Sequence, residues 1–257
     1  MHECKLFKGV IMNNRGAVVQ AKSALTWWVY LLVTVWLAVS LAWSVYARFD
    51  YGYGFWYQKQ AIAQHIATYA PQHPYKSGFA LLSAEQHITA FRQIAASVHN
   101  HGEGLEQIQY QVSGQAPVAL LDQAEVEHLQ DVARLLDWGR AAFYLLCPLW
   151  LLLIFMLRND PLPGWRLRMA AMFGSLLPLV AALGVMGPKE LFYRLHVMIF
   201  PSDHQWFFYW EESLMSTLMK APYLFGGIAM VLACVAVVFT LLLYFSGLYA
   251  AQHFLRR

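Results

Sequence analysis

Charged side chains are scarce in this chain. Asp, Glu, Lys and Arg make up 13% of its 257 residues, where a soluble domain carries about 25%. With 59% hydrophobic residues and a mean hydropathy of +0.41, that deficit excludes a disordered chain, a nucleic-acid-binding domain and an ordinary soluble enzyme. Cysteine is nearly missing: Cys4, Cys147 and Cys234 are the three. No Cys-x-x-C occurs, which argues against disulfide exchange. There is no internal repeat and no low-complexity tract. Nor is there a Gly-x-Ser-x-Gly elbow, a His-x-x-x-x-Asp pair of the glycerolipid acyltransferase type, or a His-Glu-x-x-His zinc motif.

What is present instead is long charge-free runs. They lie between Lys22 and Arg48, Arg140 and Arg158, Arg168 and Lys189, and Lys220 and Arg256. A helix needs about 20 apolar residues to cross the hydrocarbon core of a bilayer. The runs therefore predict four transmembrane helices, at 25–47, 138–157, 169–188 and 222–249. The first is too long for a cleaved signal core, and no Ala-x-Ala site follows it closely. Orientation follows from Lys and Arg. The arm 1–24, the loop 158–168 and the tail 250–257 hold nine basic and two acidic residues; 48–140 and 189–220 hold nine basic and thirteen acidic ones. Both termini are expected to be cytoplasmic. An extracytoplasmic domain at 48–137 and an aromatic, interfacial loop at 189–221 then lie on the far side. The pI of 8.7 reflects this bias and not nucleic-acid binding. Cys147 and Cys234 fall in spans, where they read as small apolar residues.

The fold class expected is a membrane all-α core of four helices with a small α+β domain between helices 1 and 2. In that domain Tyr51-Gly-Tyr-Gly-Phe-Trp-Tyr57 suits the headgroup level. Residues 58–70 read as a short helix stopped by Pro71 and Pro74. Ser83 and Gln86 predict a capping box opening a helix over 83–99, with Ile88, Phe91, Ile94, Ala95 and Val98 on one face. Segments 107–112 and 116–121 flank Ser113-Gly114 and read as a β-hairpin. Asp122 and Glu125 suggest a second capping box, opening a helix that runs straight into the second span. Trp206-Phe-Phe-Tyr-Trp210 cannot be a solvated loop and is expected at the interface or under protein cover. Leu214, Met215, Leu218 and Met219 after it have amphipathic spacing.

Chemistry can come from the ten histidines. His65, His73, His87, His99 and His101 stand in polar or turn-like surroundings and read as surface or capping residues. His99 and His101, without nearby carboxylates or thiolates, make a weak metal signal. His2 and His253 lie in the tails. His128 stands out, because Glu125 and Asp131 lie three residues either side on one helical face. A carboxylate beside an imidazole fixes its tautomer and raises its basicity. At 1.5 Å per residue, His128 sits about 10–15 Å above the hydrocarbon edge, the level of ester carbonyls. His196 is set among large apolar residues near the membrane surface, where ionisable groups are expensive. Two neutral imidazoles from different segments could take a proton from an attacking amine or hydroxyl and return one to a leaving alkoxide.

Two stretches carry a family resemblance. Leu195-His196-x-x-Ile-Phe200, Trp206-x-Phe208, Leu214-Met215 and Leu218-x-x-x-Pro222-x-x-Phe225 form one. Glu125-x-x-His128-x-x-Asp131-Val132 forms the other. Together, over roughly residues 50–250, they resemble the bacterial lipoprotein intramolecular transacylases, as does the four-span layout. Tyr209-Trp210 stand where the family has Asp-Pro, Ser213 where it has a later Asp, Leu129 where it has Met and Ile199 where it has Phe. The resemblance implies a diacylated lipoprotein substrate in the membrane, no cofactor, and transfer of the sn-2 acyl chain to the N-terminal Cys α-amine, giving lyso-form lipoprotein. It makes His128 and His196 the catalytic pair, without dividing their roles. Asp131 and Glu125 would support His128. Arg194 would help an oxyanion or pair with Glu190, and Trp206, Phe208, Trp210 and Pro222 would shape a rim. A non-catalytic accessory or sensor module of the same family is the competing reading. A haem protein would need paired His inside the spans, and the spans contain none. Oligomeric state is not read from the sequence.

Overall fold

The computed structural model describes residues 3–159 and 162–253, with side chains described from residue 20 and not at 188. Arg256 and Arg257 of the expected tail, and the side chains of Lys5, Lys8 and Arg15, lie outside the described residues. The elements are α1 (Glu3–Ala47), α2 (Tyr53–Lys59), α3 (Ile62–Tyr69), α4 (Ala84–His99), β1 (Gln109–Tyr110), β2 (Val118–Ala119), α5 (Gln123–Leu157), α6 (Trp165–Ile199), α7 (Leu214–Met219) and α8 (Tyr223–His253). The protein is thus mostly helical. Four helical stretches are long and apolar enough to cross a membrane: Gln20–Ala47, Gln123–Leu157, Trp165–Gly187 and Tyr223–His253. The third ends where Gly187 takes φ 76° and ψ 163°, a conformation open essentially to glycine alone. That break separates the apolar stretch of α6 from the segment carrying His196.

The described residues fall into two compact units. One comprises Met1–Val39, Ala142–Leu191 and Ala236–Arg257. Its core joins Trp27, Tyr30 and Leu31 of α1, Ile154 and Leu157 of α5, and Leu248 and Ala251 of α8. Polar atoms there are paired internally: Trp27 Nε1 donates to Tyr244 Oη, Tyr30 Oη to the Tyr244 carbonyl at 2.8 Å, and Trp150 Nε1 to Thr34 Oγ1 at 2.9 Å. Lipid offers no such partners, so a spanning segment must supply its own. Phe173, Leu177 and Phe245 point outward, a surface suited to lipid and not to water.

The other unit comprises Ser40–Ala141 and Phe192–Val235. Its core is aromatic and aliphatic: Tyr53, Trp56 and Tyr57 of α2, Ile62 and Ile66 of α3, Phe91 and Ile94 of α4, and Leu214 and Leu218 of α7. Helical spacing puts Tyr53, Trp56 and Tyr57 on one buried face and leaves Phe55 outward. The single helix expected over 58–70 is two helices. Ala61 adopts φ 52° between them, where Gln60 is held by tertiary bonds: its carbonyl accepts from Lys220 Nζ at 2.7 Å, and its Nε2 donates to the Tyr223 carbonyl.

The capping box at Ser83 and Gln86 forms with both hydrogen bonds. The one at Asp122 is half formed. Glu125 accepts from the Asp122 amide, but the Asp122 carboxylate turns to Lys76 Nζ at 2.8 Å. The hairpin is an antiparallel ladder of two residues a side, Gln109 opposite Ala119 and Tyr110 opposite Val118. It is shorter than expected because 105–107 coil into a 3-10 turn and the Leu120 carbonyl goes to Lys76 Nζ. Nor is α7 amphipathic: all six of its residues are buried.

Candidate active site

The unit Ser40–Ala141 with Phe192–Val235 holds Glu125, His128, Asp131, Arg194, His196, Trp206, Phe208, Trp210 and Pro222. α5 opens with its charged residues, Glu125 to Arg140, and has none from Ala141 to Leu157. His128 therefore lies in the charged first half of α5, ahead of its charge-free part at 141–157. One helical turn separates Glu125, His128 and Asp131. His196 comes from the last turns of α6. Between Phe200 and α7 the chain runs without helix or strand as a strap, residues 200–210.

The strap brings the two imidazoles together. The ring of Phe200 packs on His128 at 4.9 Å and on His196 at 5.3 Å. Beyond it the strap alternates, as an extended chain does. Trp206 lies on His196 at 5.0 Å, Phe208 on His128 at 5.9 Å and Trp210 on His65 at 4.4 Å. Phe207 and Tyr209 face outward. Of the five aromatics expected at the interface or under protein cover, Trp206, Phe208 and Trp210 are half-buried and Phe207 and Tyr209 are exposed. Hydroxyls of buried α7 residues hold the far end: Ser216 Oγ donates to the Phe208 carbonyl and Thr217 Oγ1 to that of Trp210. Trp210 Nε1 donates to the carbonyl of Ala221, which precedes Pro222 through a cis peptide.

Each imidazole sits in apolar surroundings. His196 Nδ1 is 2.8 Å from the Phe192 carbonyl, its own helix one turn back. A carbonyl only accepts, so Nδ1 carries the proton and Nε2 keeps its lone pair. Burial pushes this His below its ordinary value, against the pull of that bond. Burial, then the nearby His196, push His128 down to about 4, with Asp131 opposing. Near pH 7 both rings are neutral. His128 Nδ1 is buried without a hydrogen-bond partner.

Asp131 does not orient His128. One carboxylate oxygen accepts from Arg134 and the other pairs with His204 Nδ1 at 2.7 Å. It reaches His128 through its field alone. Glu125 is also turned away. Its carboxyl is buried, bonded to Ser213 Oγ and the Asp122 amide, and burial pushes it above the usual carboxylate range against both bonds. Arg194 is exposed, two residues before His196. Nothing in the sequence around His204 points to a role for it. Its partner is 73 positions away, so no local spacing could have pointed to it.

Of the other histidines, His101 is exposed and His73 caps a turn, as the surface-or-capping reading expects, while His65 and His87 are core residues. His65, His73 and His87 are buried. His87 joins Tyr57 Oη and the Phe79 carbonyl, and His73 Nδ1 accepts from two turn amides. His99 meets Tyr51 Oη and His101 meets Asp137. Among the described residues no three His, Cys, Asp or Glu side chains converge as a metal site would require.

Ser213, Ser216 and Thr217 are buried and engaged in structural bonds. His128 and His196 are two neutral imidazoles, and a neutral imidazole is chemically able to take up a proton and return one. Comparison with curated proteins and with solved structures returned no match. The model of the family described as "Lipoprotein intramolecular transacylase Lit" matches residues 24–223, a range that contains both imidazoles, the strap and α7. The chain belongs to the lipoprotein intramolecular transacylase family.

Proposed function

We propose that this protein moves the sn-2 acyl chain of a diacylglyceryl lipoprotein onto the α-amine of the same molecule's N-terminal Cys, giving the lyso-form. The observation that carries this reading is the pair His128–His196 sharing the Phe200 ring, with the Nε2 lone pair of His196 left available. His196 Nε2 takes the proton as the amine nitrogen attacks the ester carbonyl, and a C–N bond forms. The tetrahedral intermediate then expels the glycerol oxygen. That alkoxide takes a proton from an imidazolium, so both rings end as they began. One ester becomes one amide and a free hydroxyl, with no water, second donor or cofactor consumed.

Holding amine and ester in one molecule removes most of the entropic barrier. The aromatic walls exclude water, which keeps the rings neutral and strengthens every charge interaction in the transition state. The reading places the protein in the cytoplasmic membrane of a bacterium, with both termini cytoplasmic. The α+β domain at 48–137 and the strap then lie on the extracytoplasmic side, where acyl chains enter from membrane lipid.

The test is mass spectrometry of a lipoprotein N-terminal peptide from a host lacking its usual N-acylation step. Expression should convert the free-amine diacylglyceryl peptide to an amide-linked form of unchanged acyl mass. His128→Ala and His196→Ala should each remove that product. A non-catalytic membrane module would leave the peptide unconverted in all three strains.

A further inference from the structure

The strap holds both imidazoles, yet it has no helix or strand of its own. Its backbone bonds at the start are local, from the Phe200 amide to the His196 carbonyl and from the His204 amide to the Pro201 carbonyl. The α7 hydroxyls fix its end. In its middle, a polar tie to α5 comes from His204 to Asp131. His204 stands four residues after Phe200 and four before Phe208, the two rings that pack on His128. Asp131 stands one helical turn after His128. Its carboxylate is only 4% exposed, against 29% for the His204 side chain. Such a buried carboxylate between two donors makes a directional, charge-assisted contact.

We propose that His204 and Asp131 form a latch that keeps the 200–210 strap in register over His128 and His196, making His204 a positioning residue for acyl transfer. The catalytic part of this rests on the reading above. Groups facing the latch are Glu127, Asp131 and Arg134 on α5 and Asp203 on the strap. The Asp131 bond, with the charges of Asp131, Asp203 and Glu127, holds the imidazole above its ordinary value against burial. Burial pushes the Asp131 carboxyl up, but the bonds from His204 and Arg134 outweigh it and hold it low. The latch is therefore strongest with His204 charged, and loosens as pH rises through its elevated value.

Two readouts on the full-length protein in lipid nanodiscs test this. The first is hydrogen exchange of peptides covering 200–210. His204→Ala and Asp131→Asn should speed it about tenfold or more, the scale of one lost charge-assisted bond, with exchange over α4 unchanged as the folding control. His204→Arg keeps the charge at all working pH values and should keep exchange slow. The second readout is the rate of lyso-form production against pH. His204→Ala should lower it by up to about 10²-fold. His204→Arg should recover most of the rate and remove the fall on the alkaline side. Strap exchange equal in His204→Ala and wild type overturns the latch, whatever the chemistry. Faster exchange with an unchanged rate and pH profile overturns the positioning role. A slow-exchanging strap on a wild-type protein that makes no lyso-form overturns the acyl-transfer reading and the positioning role with it, while the exchange result still decides the latch.

Discussion

At the residue scale, the protonation of two imidazoles sets the pH range of the proposed reaction. His128 and His196 are both pushed low by burial, so both rings are neutral at neutral pH, the state that the proposed proton transfer needs. Protonation in acid removes the base. The rate of lyso-form production should fall as pH drops below about 6.5, the ordinary histidine value; an acid limb centred well above it would contradict the neutral-pair reading. Phe200 is the ring the two imidazoles share, so Phe200→Ala should cost up to about 10²-fold in rate while the melting temperature shifts little. His65 gives a stability prediction. Burial first, then the charge of Lys220, lower it to about 4, with Glu211 opposing. The folded state thus binds this proton less readily than the unfolded chain. Its contribution is full above about pH 6.5 and is lost as pH falls toward 4. Thermal melts should show a lower melting temperature at about pH 5 than at about pH 7.5, with a flatter slope in His65→Phe.

At the element scale, what the sequence could announce was local. Ser83 and Gln86 sit three apart and cap α4 as their spacing predicts. Each of the four charge-free runs overlaps one of the four long apolar helices. The break at Ala61 follows from the capture of Gln60 by Lys220 and Tyr223, some 160 residues on, and no window around residue 60 contains that information. The same holds for Asp131. Its spacing from His128 suggested a partner, but Arg134 and His204 take its oxygens. The two-residue alternation of 206–210 was visible only once the strap was known to be extended. Helix packing supplies a further test. A Cβ on Gly227 of α8 would come 2.8 Å from the Trp56 ring of α2. Gly227→Ala should therefore destabilise this unit by about 1–3 kcal/mol, seen as a lower melting temperature. Gly226→Ala beside it, open to space, should not.

At the scale of the whole molecule, the two histidine segments lie 68 positions apart in sequence and meet in the unit that also holds the strap and α7. The four apolar stretches supply the membrane seat. If the topology proposed above holds, Tyr75, fully outward at 92% exposure, faces the extracytoplasmic side. A Tyr75→Cys variant should be labelled in intact spheroplasts by a membrane-impermeant maleimide; protection until lysis would invert the topology.

A crossover experiment tests transfer within one molecule directly. Purified protein is given an equal mixture of two diacylglyceryl lipopeptides with different peptide sequences, one bearing deuterated acyl chains. Intramolecular transfer through the two imidazoles predicts lyso-form products in which each peptide keeps its own label, and no product from His128→Ala or His196→Ala. Scrambled labels would contradict transfer within one molecule, and product formation undiminished in either variant would contradict the histidine pair.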